Sequence, residues 1–152
     1  MKKLLLFDFD GTLATAEGSI PFETIQELKR LSVNYYIGII SGRTLSFLSG
    51  IARQIEIEDI ILLGEQGAHI IYPSSLPPEM SLKLSLDNKL MNSLNKIRTT
   101  LEDKYGTLIF SHPTFTNLGF FLNKNIDIEE FKLDFLEHIK DYIDLVNIYH
   151  QI

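Results

Sequence analysis

The sequence predicts an α/β protein made of a parallel sheet with flanking helices, followed by a smaller domain of mixed strands and helices. Up to residue 72, short apolar runs alternate with segments of helical periodicity. Residues 73–78 then form a stretch rich in proline and serine, which is typical of a turn or a domain boundary. Beyond it, strand-like and helical segments no longer alternate one by one, which favours an antiparallel sheet covered by helices.

The first predicted strand covers residues 3–9, a mainly apolar run that stops at the Asp-Gly pair of residues 10 and 11. A run without polar alternation is typical of a strand buried on both faces. A helix is predicted over residues 22–31, because its apolar residues recur at helical spacing and Pro21 suits a first turn.

The next elements complete the predicted parallel sheet. Residues 35–40 and 60–63 are strand-like, and residues 44–54 between them have helical periodicity. Strand, helix, strand, helix, strand implies right-handed crossovers in a Rossmann-like core. Residues 68–72 are a further short strand.

The second domain is predicted to begin with a helix over residues 87–105. Two strand-like segments, residues 107–111 and 118–123, could pair as a hairpin. A second helix is predicted over residues 128–139, and residues 145–152 form a last strand-like run.

Composition narrows the functional classes. The chain has 152 residues and a net charge of −6. Residues 1–76 hold 6 basic and 9 acidic side chains and residues 77–152 hold 8 and 11, so neither half is basic and nucleic acid is not an expected partner. The absence of cysteine excludes disulfides, thiolate metal sites and cysteine nucleophiles. The apolar start ends at Asp8, too early for a signal peptide or a membrane span. We therefore expect a soluble, cytoplasmic protein.

The strongest chemical signal is the string Asp-Phe-Asp-Gly-Thr-Leu that follows the first strand. Asp8 and Asp10 are two residues apart, so in an extended chain they point to the same side. Two carboxylates at the end of a parallel strand suit a hard cation such as Mg²⁺. Gly11 lets the backbone approach a ligand closely. We expect Gly11 and Thr12 to bind the phosphate group.

These residues can carry phosphoryl transfer. One carboxylate would attack phosphorus to form an acyl phosphate, and the other would protonate the leaving oxygen and then activate water. The alternative is an Asp-Gly turn with both carboxylates solvated. A calcium-binding EF-hand loop fails, because its glycine would fall at Leu13 and its glutamate at Ser19.

A second signal, Ser-Gly-Arg-Thr, follows the second strand. The Ser41 hydroxyl could bind a phosphate oxygen, and the start of the next helix favours an anion. Alternatively, Ser41 or Thr44 caps that helix. Gly42 belongs to the same expected phosphate loop. Arg43 is either a phosphate or substrate ligand or a surface cation.

A third loop, residues 64–68, follows the third strand and could line the same crevice. For Glu65 and Gln66, we favour the simpler interpretation, a turn that starts a hairpin.

In this order and spacing, the three motifs resemble the haloacid dehalogenase superfamily of phosphohydrolases. The resemblance implies that Asp8 is the nucleophile and Asp10 the general acid and base, with both at the magnesium site. It also implies that Ser41 is the phosphate-binding hydroxyl. Residues 1–77 would be the core, and residues 78–152 would be an inserted cap of the type found in trehalose-phosphate, mannosylglycerate-phosphate and phosphoglycolate phosphatases. Gln66 stands where members of this kind usually have Asn.

The same resemblance predicts a lysine and an acidic pair that the sequence does not offer in the expected contexts. Asp141 and Asp144 follow a helical segment instead of an apolar strand, and we expect them to be solvated. On this basis the chain is expected to be an N-terminal fragment or the product of a shortened reading frame, with little turnover alone.

The expected activity is Mg²⁺-dependent hydrolysis of a small phosphorylated sugar or sugar acid. A phosphomutase and a non-catalytic phosphate-binding or regulatory module remain alternatives, and a homo-oligomer is left open. A dinucleotide site is disfavoured, because no Gly-x-Gly-x-x-Gly follows the first strand. Five polar residues of the second domain could face the cleft and touch a sugar hydroxyl or carboxylate, although a position in a turn or in solvent is favoured: His112, Thr114, Thr116, Asn117 and Lys124. His69 and His150 are expected to have local contacts.

Overall fold

The structure, a computed structural model, describes residues 2–15 and 18–145. Its contacts divide the chain into two compact units. The first unit runs up to Leu86 and includes Pro113–Asn117, and the second comprises Asp87–His112 and the chain from Leu118 onward. The predicted domain boundary at residue 77 stays a prediction, and the contacts divide the chain nine residues later, between Leu86 and Asp87.

The first unit is built on a five-stranded sheet in the order β1-β2-β3-β4-β5. β1–β3 are parallel, whereas β4 pairs antiparallel with β3, and β5 pairs antiparallel with β4. This arrangement confirms the predicted α/β class. The strands are β1 (Lys3–Asp8), β2 (Tyr35–Ile40), β3 (Ile60–Gly64), β4 (His69–Tyr72) and β5 (Met80–Lys83).

Two helices connect the parallel strands and cover one face of the sheet. They are α1 (Phe22–Ser32) and α2 (Leu45–Ile55), and both begin within one residue of the prediction. Leu28 of α1 and Leu48 of α2 share one apolar core with strand residues such as Ile39. Pro21 lies at the N-cap of α1 and not in its first turn, with an extended ψ of 145°.

The prediction that the first strand is buried on both faces was wrong. Leu4 and Leu6 are 48% and 47% exposed, whereas Leu5 and Phe7 pack against the core. β1 lies at the edge of the sheet, and the two helices of this unit pack on the face that carries Leu5 and Phe7. The side chains of Leu4 and Leu6 lie over Gly38 of β2.

The second unit pairs two long helices with a hairpin. The elements are α3 (Asn88–Tyr105), β6 (Ile109–Ser111), β7 (Phe120–Leu122) and α4 (Ile128–Ile139). The pairing of β6 with β7 confirms the predicted antiparallel hairpin. The side chains of Asp87 and Asp127 cap the N-termini of α3 and α4. Residues 140–145 form a short 3₁₀ segment, and the strand predicted beyond it lies outside the described residues.

None of the helices within residues 2–15 and 18–145 combines the length and the apolar character needed to cross a bilayer.

Candidate active site

A tight turn presents the first motif at the end of β1. The Phe9 carbonyl accepts hydrogen bonds from the backbone N–H groups of Leu13 and Ala14, at 3.1 and 2.9 Å. Phe9, Leu13 and Ala14 are buried, which anchors the turn in the core. The chain reverses through Gly11, whose φ of +78° lies in the region that glycine tolerates best. As a result, the polar residues between the anchors remain accessible: Asp8 and Thr12 are exposed, and Asp10 is half-buried.

The Asp10 carboxylate is held by the second motif. Arg43 Nη2 lies 2.6 Å from Asp10 Oδ1, and Arg43 Nε lies 3.0 and 3.2 Å from the two carboxylate oxygens. The Ser41 hydroxyl donates to Asp10 Oδ2 at 3.0 Å. A guanidinium that donates from two nitrogens to one carboxylate fixes orientation as well as charge.

Ser41 lies at the centre of this cluster. Its side chain is 1% exposed, and its hydroxyl accepts from the Arg43 backbone N–H at 3.1 Å while it donates to Asp10. Its backbone N–H donates to the Leu63 carbonyl, which continues the ladder between β2 and β3. The parallel register pairs Asp8 with Ile40, the residue before Ser41. Asp8 and Ser41 therefore lie side by side at the C-terminal ends of β1 and β2.

Arg43 is oriented from its other side by an aromatic ring. The guanidinium carbon lies 4.6 Å from the centre of the Phe47 ring in the first turn of α2. Phe47 in turn packs edge-on against Phe9, which fixes the turn after β1. Stacking on a ring and bidentate pairing are properties of arginine that lysine lacks.

One of the two sequence interpretations of the second motif, a helix cap, has a counterpart at Thr44. Thr44 is the N-cap of α2, and its hydroxyl accepts from the Phe47 backbone N–H at 3.4 Å. Ser41 contacts Asp10 instead of capping the helix. Gly42 lies against the Gln66 side chain, whose amide nitrogen would be 3.1 Å from a Cβ placed at Gly42.

The loop after β3 is hydrogen-bonded to the backbone of the second motif. Glu65 and Gln66 both adopt positive φ angles, 52° and 59°. This turn directs the Glu65 backbone N–H to the Arg43 carbonyl at 2.8 Å and the Gln66 backbone N–H to the Ser41 carbonyl at 2.9 Å. The loop also joins the antiparallel pair β3 and β4, which confirms the predicted hairpin turn.

Sequence reasoning missed the role of the Glu65 side chain. It is 6% exposed, and one of its oxygens accepts hydrogen bonds from the backbone of Phe115 and from the backbone and hydroxyl of Thr116. An acidic residue in a Gly-rich turn looks solvated in sequence. Its partners lie about fifty positions downstream, and no local pattern indicates them.

The predicted residues therefore fall into two groups. Asp10, Ser41 and Arg43 are in direct contact, and Asp8 is at the same edge of the sheet. The two loops that carry these side chains also contain Gly11, Thr12 and Gly42. None of the hydrogen bonds within the cluster involves these three residues.

The described residues offer few ligands for a metal ion. No group of three or more acidic, histidine or cysteine side chains converges within them. Mg²⁺ is commonly held by one or two carboxylates, with water and substrate phosphate filling the other positions. The exposed Asp8 carboxylate suits this role. The Asp10 carbonyl also suits it, since it accepts no backbone hydrogen bond in the described chain. The Asp10 carboxylate is already engaged by Arg43.

The remaining polar candidates have local partners or face solvent. The His112 ring stacks on Phe121 at 4.0 Å, and the Thr114 hydroxyl donates to the Asn117 carbonyl at 3.0 Å. Lys124 and Asp141 are exposed. His69 is half-buried in β4, whereas the Asp144 side chain and His150 lie outside the described residues.

Comparison with known proteins gives a family match across almost the whole chain. A sequence model of haloacid dehalogenase-like hydrolases matches residues 5–151. No curated protein sequence matches the chain.

Several solved structures share the fold. A haloacid dehalogenase-like hydrolase from Bacteroides thetaiotaomicron is 22% identical, with a TM-score of 0.56 over 66% of this chain and 38% of its own. The trehalose-6-phosphate phosphatase of Aspergillus fumigatus is 21% identical, with a TM-score of 0.53 over 99% of this chain and 58% of its own. The C-terminal domain of C. albicans trehalose-6-phosphate phosphatase is 20% identical, with a TM-score of 0.70 over 95% of this chain and 51% of its own. The chain thus spans between 38% and 58% of the length of these structures.

Proposed function

We propose that this chain, which belongs to the haloacid dehalogenase-like hydrolase family, carries the phosphoryl-transfer residues of a Mg²⁺-dependent phosphatase. The substrate would be a small phosphomonoester, a sugar or sugar-acid phosphate. One observation carries the proposal. The two carboxylates of the first motif lie at the end of β1, and one of them is held by the hydroxyl and the guanidinium of the second motif.

In the proposed reaction, an Asp8 carboxylate oxygen attacks phosphorus. The bond between phosphorus and the leaving alkoxide breaks, and protonated Asp10 gives its proton to that oxygen. Water then attacks the phosphoryl group on Asp8 and loses a proton to Asp10. This step releases phosphate, restores the Asp8 carboxylate and returns Asp10 to its protonated form. Asp8 suits the first role because it is exposed, and Asp10 suits the second because neighbouring side chains fix its orientation.

Substrate binding would release Asp10 from its contact with Arg43. In the structure, Arg43 is paired with Asp10. A phosphate group offers Arg43 a second anionic partner of matching geometry. Once Arg43 turns to the phosphate, the Asp10 carboxyl no longer has this contact. The Ser41 hydroxyl can follow the same exchange, from Asp10 to a phosphate oxygen.

Magnesium, when bound by the Asp8 carboxylate and the Asp10 carbonyl, would neutralise charge shared between the nucleophile and the phosphate. The sugar-phosphate class is supported by the two trehalose-6-phosphate phosphatases among the structures that share the fold. At about 20% identity, these likenesses concern the fold, so the substrate class is part of the proposal.

The proposal is tested by phosphate release from a panel of sugar and sugar-acid phosphates, with and without Mg²⁺. We expect slow release that needs Mg²⁺, is abolished by Asp8→Asn and falls by about 10²–10⁴ in Asp10→Asn. Asp103→Asn is the matched control, because Asp103 is an exposed carboxylate on α3. Release that persists in Asp8→Asn would contradict the proposal. So would an isomerised sugar phosphate without free phosphate, which would indicate a mutase.

A further inference from the structure

The Glu65 carboxylate joins two distant parts of the first unit. Its Oε2 atom accepts from the backbone N–H groups of Phe115 and Thr116 at 2.9 and 2.8 Å. The Thr116 hydroxyl donates to the same oxygen at 2.7 Å. Pro113–Asn117 belong to the first unit, although in sequence they lie between β6 and β7.

The geometry at this oxygen is that of a built anion site. Two consecutive N–H groups and a hydroxyl converge on one carboxylate oxygen, as in the backbone concavities that bind anions. The segment is closed on itself by the bond from the Thr114 hydroxyl to the Asn117 carbonyl, and Thr114 is 1% exposed. Removing the carboxylate would leave three donors without their partner, which costs more than the loss of an ordinary surface contact.

The backbone of the same residue reaches the candidate active site. The Glu65 N–H donates to the Arg43 carbonyl at 2.8 Å, from a residue with a φ of +52°. A non-glycine residue in this region is strained and persists only where its surroundings fix it. Glu65 therefore connects the loop that carries Arg43 with the segment that carries Phe115 and Thr116.

A cleft of about 560 Å³ lies between these two loops, within the size range of small-molecule sites. Its lining includes Thr44 and Leu45, which directly follow Arg43, together with Glu65 and Phe115. Lys83 also lines it and lies 4.8 Å from the centre of the Phe115 ring. Further polar residues of the lining are Ser46, Ser49, Arg53 and His69.

We infer that Glu65 is a positioning residue that holds the segment of Phe115 and Thr116, so that Phe115 forms part of the wall of this cleft, and that the cleft receives the part of the substrate other than its reacting phosphate. The hydroxyls and the two cations of the lining suit a hydroxylated ligand that carries negative charge. This inference rests on the proposed function for the identity of the ligand, but the anchoring by Glu65 does not depend on catalysis.

The anchoring is tested by amide hydrogen exchange of Phe115 and Thr116, measured by NMR on the full chain. In Glu65→Ala, both amides should lose protection by at least about tenfold, since each gives up a hydrogen bond to a charged group. Glu65→Gln retains an acceptor oxygen and should lose less. Glu102→Gln is the matched control, because Glu102 also accepts from a serine hydroxyl, that of Ser111 in the second unit.

If Glu65→Ala does not fold, Thr116→Val tests the same contact with a smaller change to the structure. It removes the hydroxyl and keeps both N–H groups, so the two amides should stay bound and lose only part of their protection. Unchanged protection of Phe115 and Thr116 in every variant at position 65 or 116 that folds would overturn the anchoring.

The cleft is tested by kinetics with two substrates of different size. Glu65→Ala should raise KM for a sugar phosphate by about tenfold or more, and kcat/KM should fall further for the sugar phosphate than for acetyl phosphate, because acetyl phosphate leaves the cleft empty. Equal losses on both substrates would overturn the inference.

If the chain releases no phosphate from any substrate, the proposed function fails separately. NMR titration with glucose 6-phosphate then decides, since shifts of the Lys83 and Phe115 amides support the cleft and their absence refutes it.

Discussion

Asp10 is the residue at the centre of the candidate site. Its carboxylate accepts hydrogen bonds from two nitrogens of the Arg43 guanidinium and from the buried Ser41 hydroxyl, whereas Asp8 is exposed. The two carboxylates of the motif thus have different surroundings although they are only two residues apart. In the proposed reaction, this difference would leave Asp8 open to an incoming phosphate and would hold Asp10 in a fixed orientation.

We expect Arg43→Lys to lower kcat/KM for phosphate release by about tenfold or more, because one ammonium cannot replace the two-nitrogen contact or the stacking on Phe47. Steady-state assays on a sugar phosphate would measure it. Arg30→Lys is the control, because Arg30 pairs with Glu27 on the exposed surface of α1. A rate equal to that of the wild type in Arg43→Lys would mean that the two-nitrogen contact with Asp10 and the stacking on Phe47 are dispensable.

Ser41→Ala should lower the free energy of unfolding by about 1–3 kcal/mol. The substitution removes a buried hydroxyl that donates to Asp10 and accepts from the Arg43 N–H, and it leaves that N–H without its acceptor. Urea unfolding followed by circular dichroism would measure the change. Ser32→Ala, which removes an exposed hydroxyl at the end of α1, should cost much less. Equal losses would argue against a structural role for the Ser41 hydroxyl.

Sequence patterns identified the parts of the site that depend on local chain direction. Asp10, Ser41 and Arg43 follow parallel strands, and the ends of such strands meet at one edge of the sheet. Glu65 could not be assigned in this way, since its partners are fixed by tertiary contacts. For the same reason, the sequence left Arg43 open between a ligand and a surface cation.

At the scale of elements, the contact between the end of β3 and the start of α2 sets the position of the second motif. Gly64 lies so close to this helix that an added Cβ would be 2.7 Å from the Leu45 backbone nitrogen and 3.0 Å from its Cα. Backbone atoms in a sheet and a helix cannot move as the end of a flexible side chain can. Only glycine therefore allows this approach without displacing one of the two elements.

Gly64→Ala should destabilise the chain by about 1–3 kcal/mol, the usual cost of forcing an extra carbon into a packed region. Gly50→Ala is the matched control. Gly50 lies in the interior of α2 with open space around its Cβ direction, so alanine should be neutral or stabilise by up to about 1 kcal/mol. Urea unfolding of both variants measures the difference, and a Gly64→Ala protein as stable as the wild type would contradict the packing argument.

The elements that the sequence misjudged have physical explanations. β5 was not predicted, because its four residues are all exposed and its sequence, Met-Ser-Leu-Lys, carries no core signal. It is a strand because its backbone pairs with β4. β1 has the apolar composition of a strand buried on both faces, but the two helices pack on the face that carries Leu5 and Phe7, and Leu4 and Leu6 on the other face are about half exposed. The sequence of a strand shows which of its residues are apolar, but the packing of neighbouring elements determines which of them are buried.

At the scale of the molecule, the chain has two units with separate apolar cores. The second unit carries an alkaline-sensitive contact at the end of α3. Burial raises the pKa of Tyr105 above its ordinary value, and the hydrogen bond with Asp134 raises the pKa of Lys104. Both groups therefore hold their protons more tightly in the folded chain than in the unfolded chain. Their contribution to stability is complete below about pH 10 and is lost as the pH rises through the folded pKa values.

We therefore expect the free energy of unfolding to fall as the pH is raised above about 10, and Tyr105→Phe to make this fall less steep, because phenylalanine has no proton to lose. Urea unfolding at pH 8 and at a pH above 10, followed by far-ultraviolet circular dichroism, measures the slope without interference from phenolate absorption. Tyr36→Phe, which removes an exposed hydroxyl from β2, controls for the loss of a phenol in general. An alkaline slope that is the same in Tyr105→Phe and in the wild type would mean that burial of this phenol does not contribute to the pH dependence.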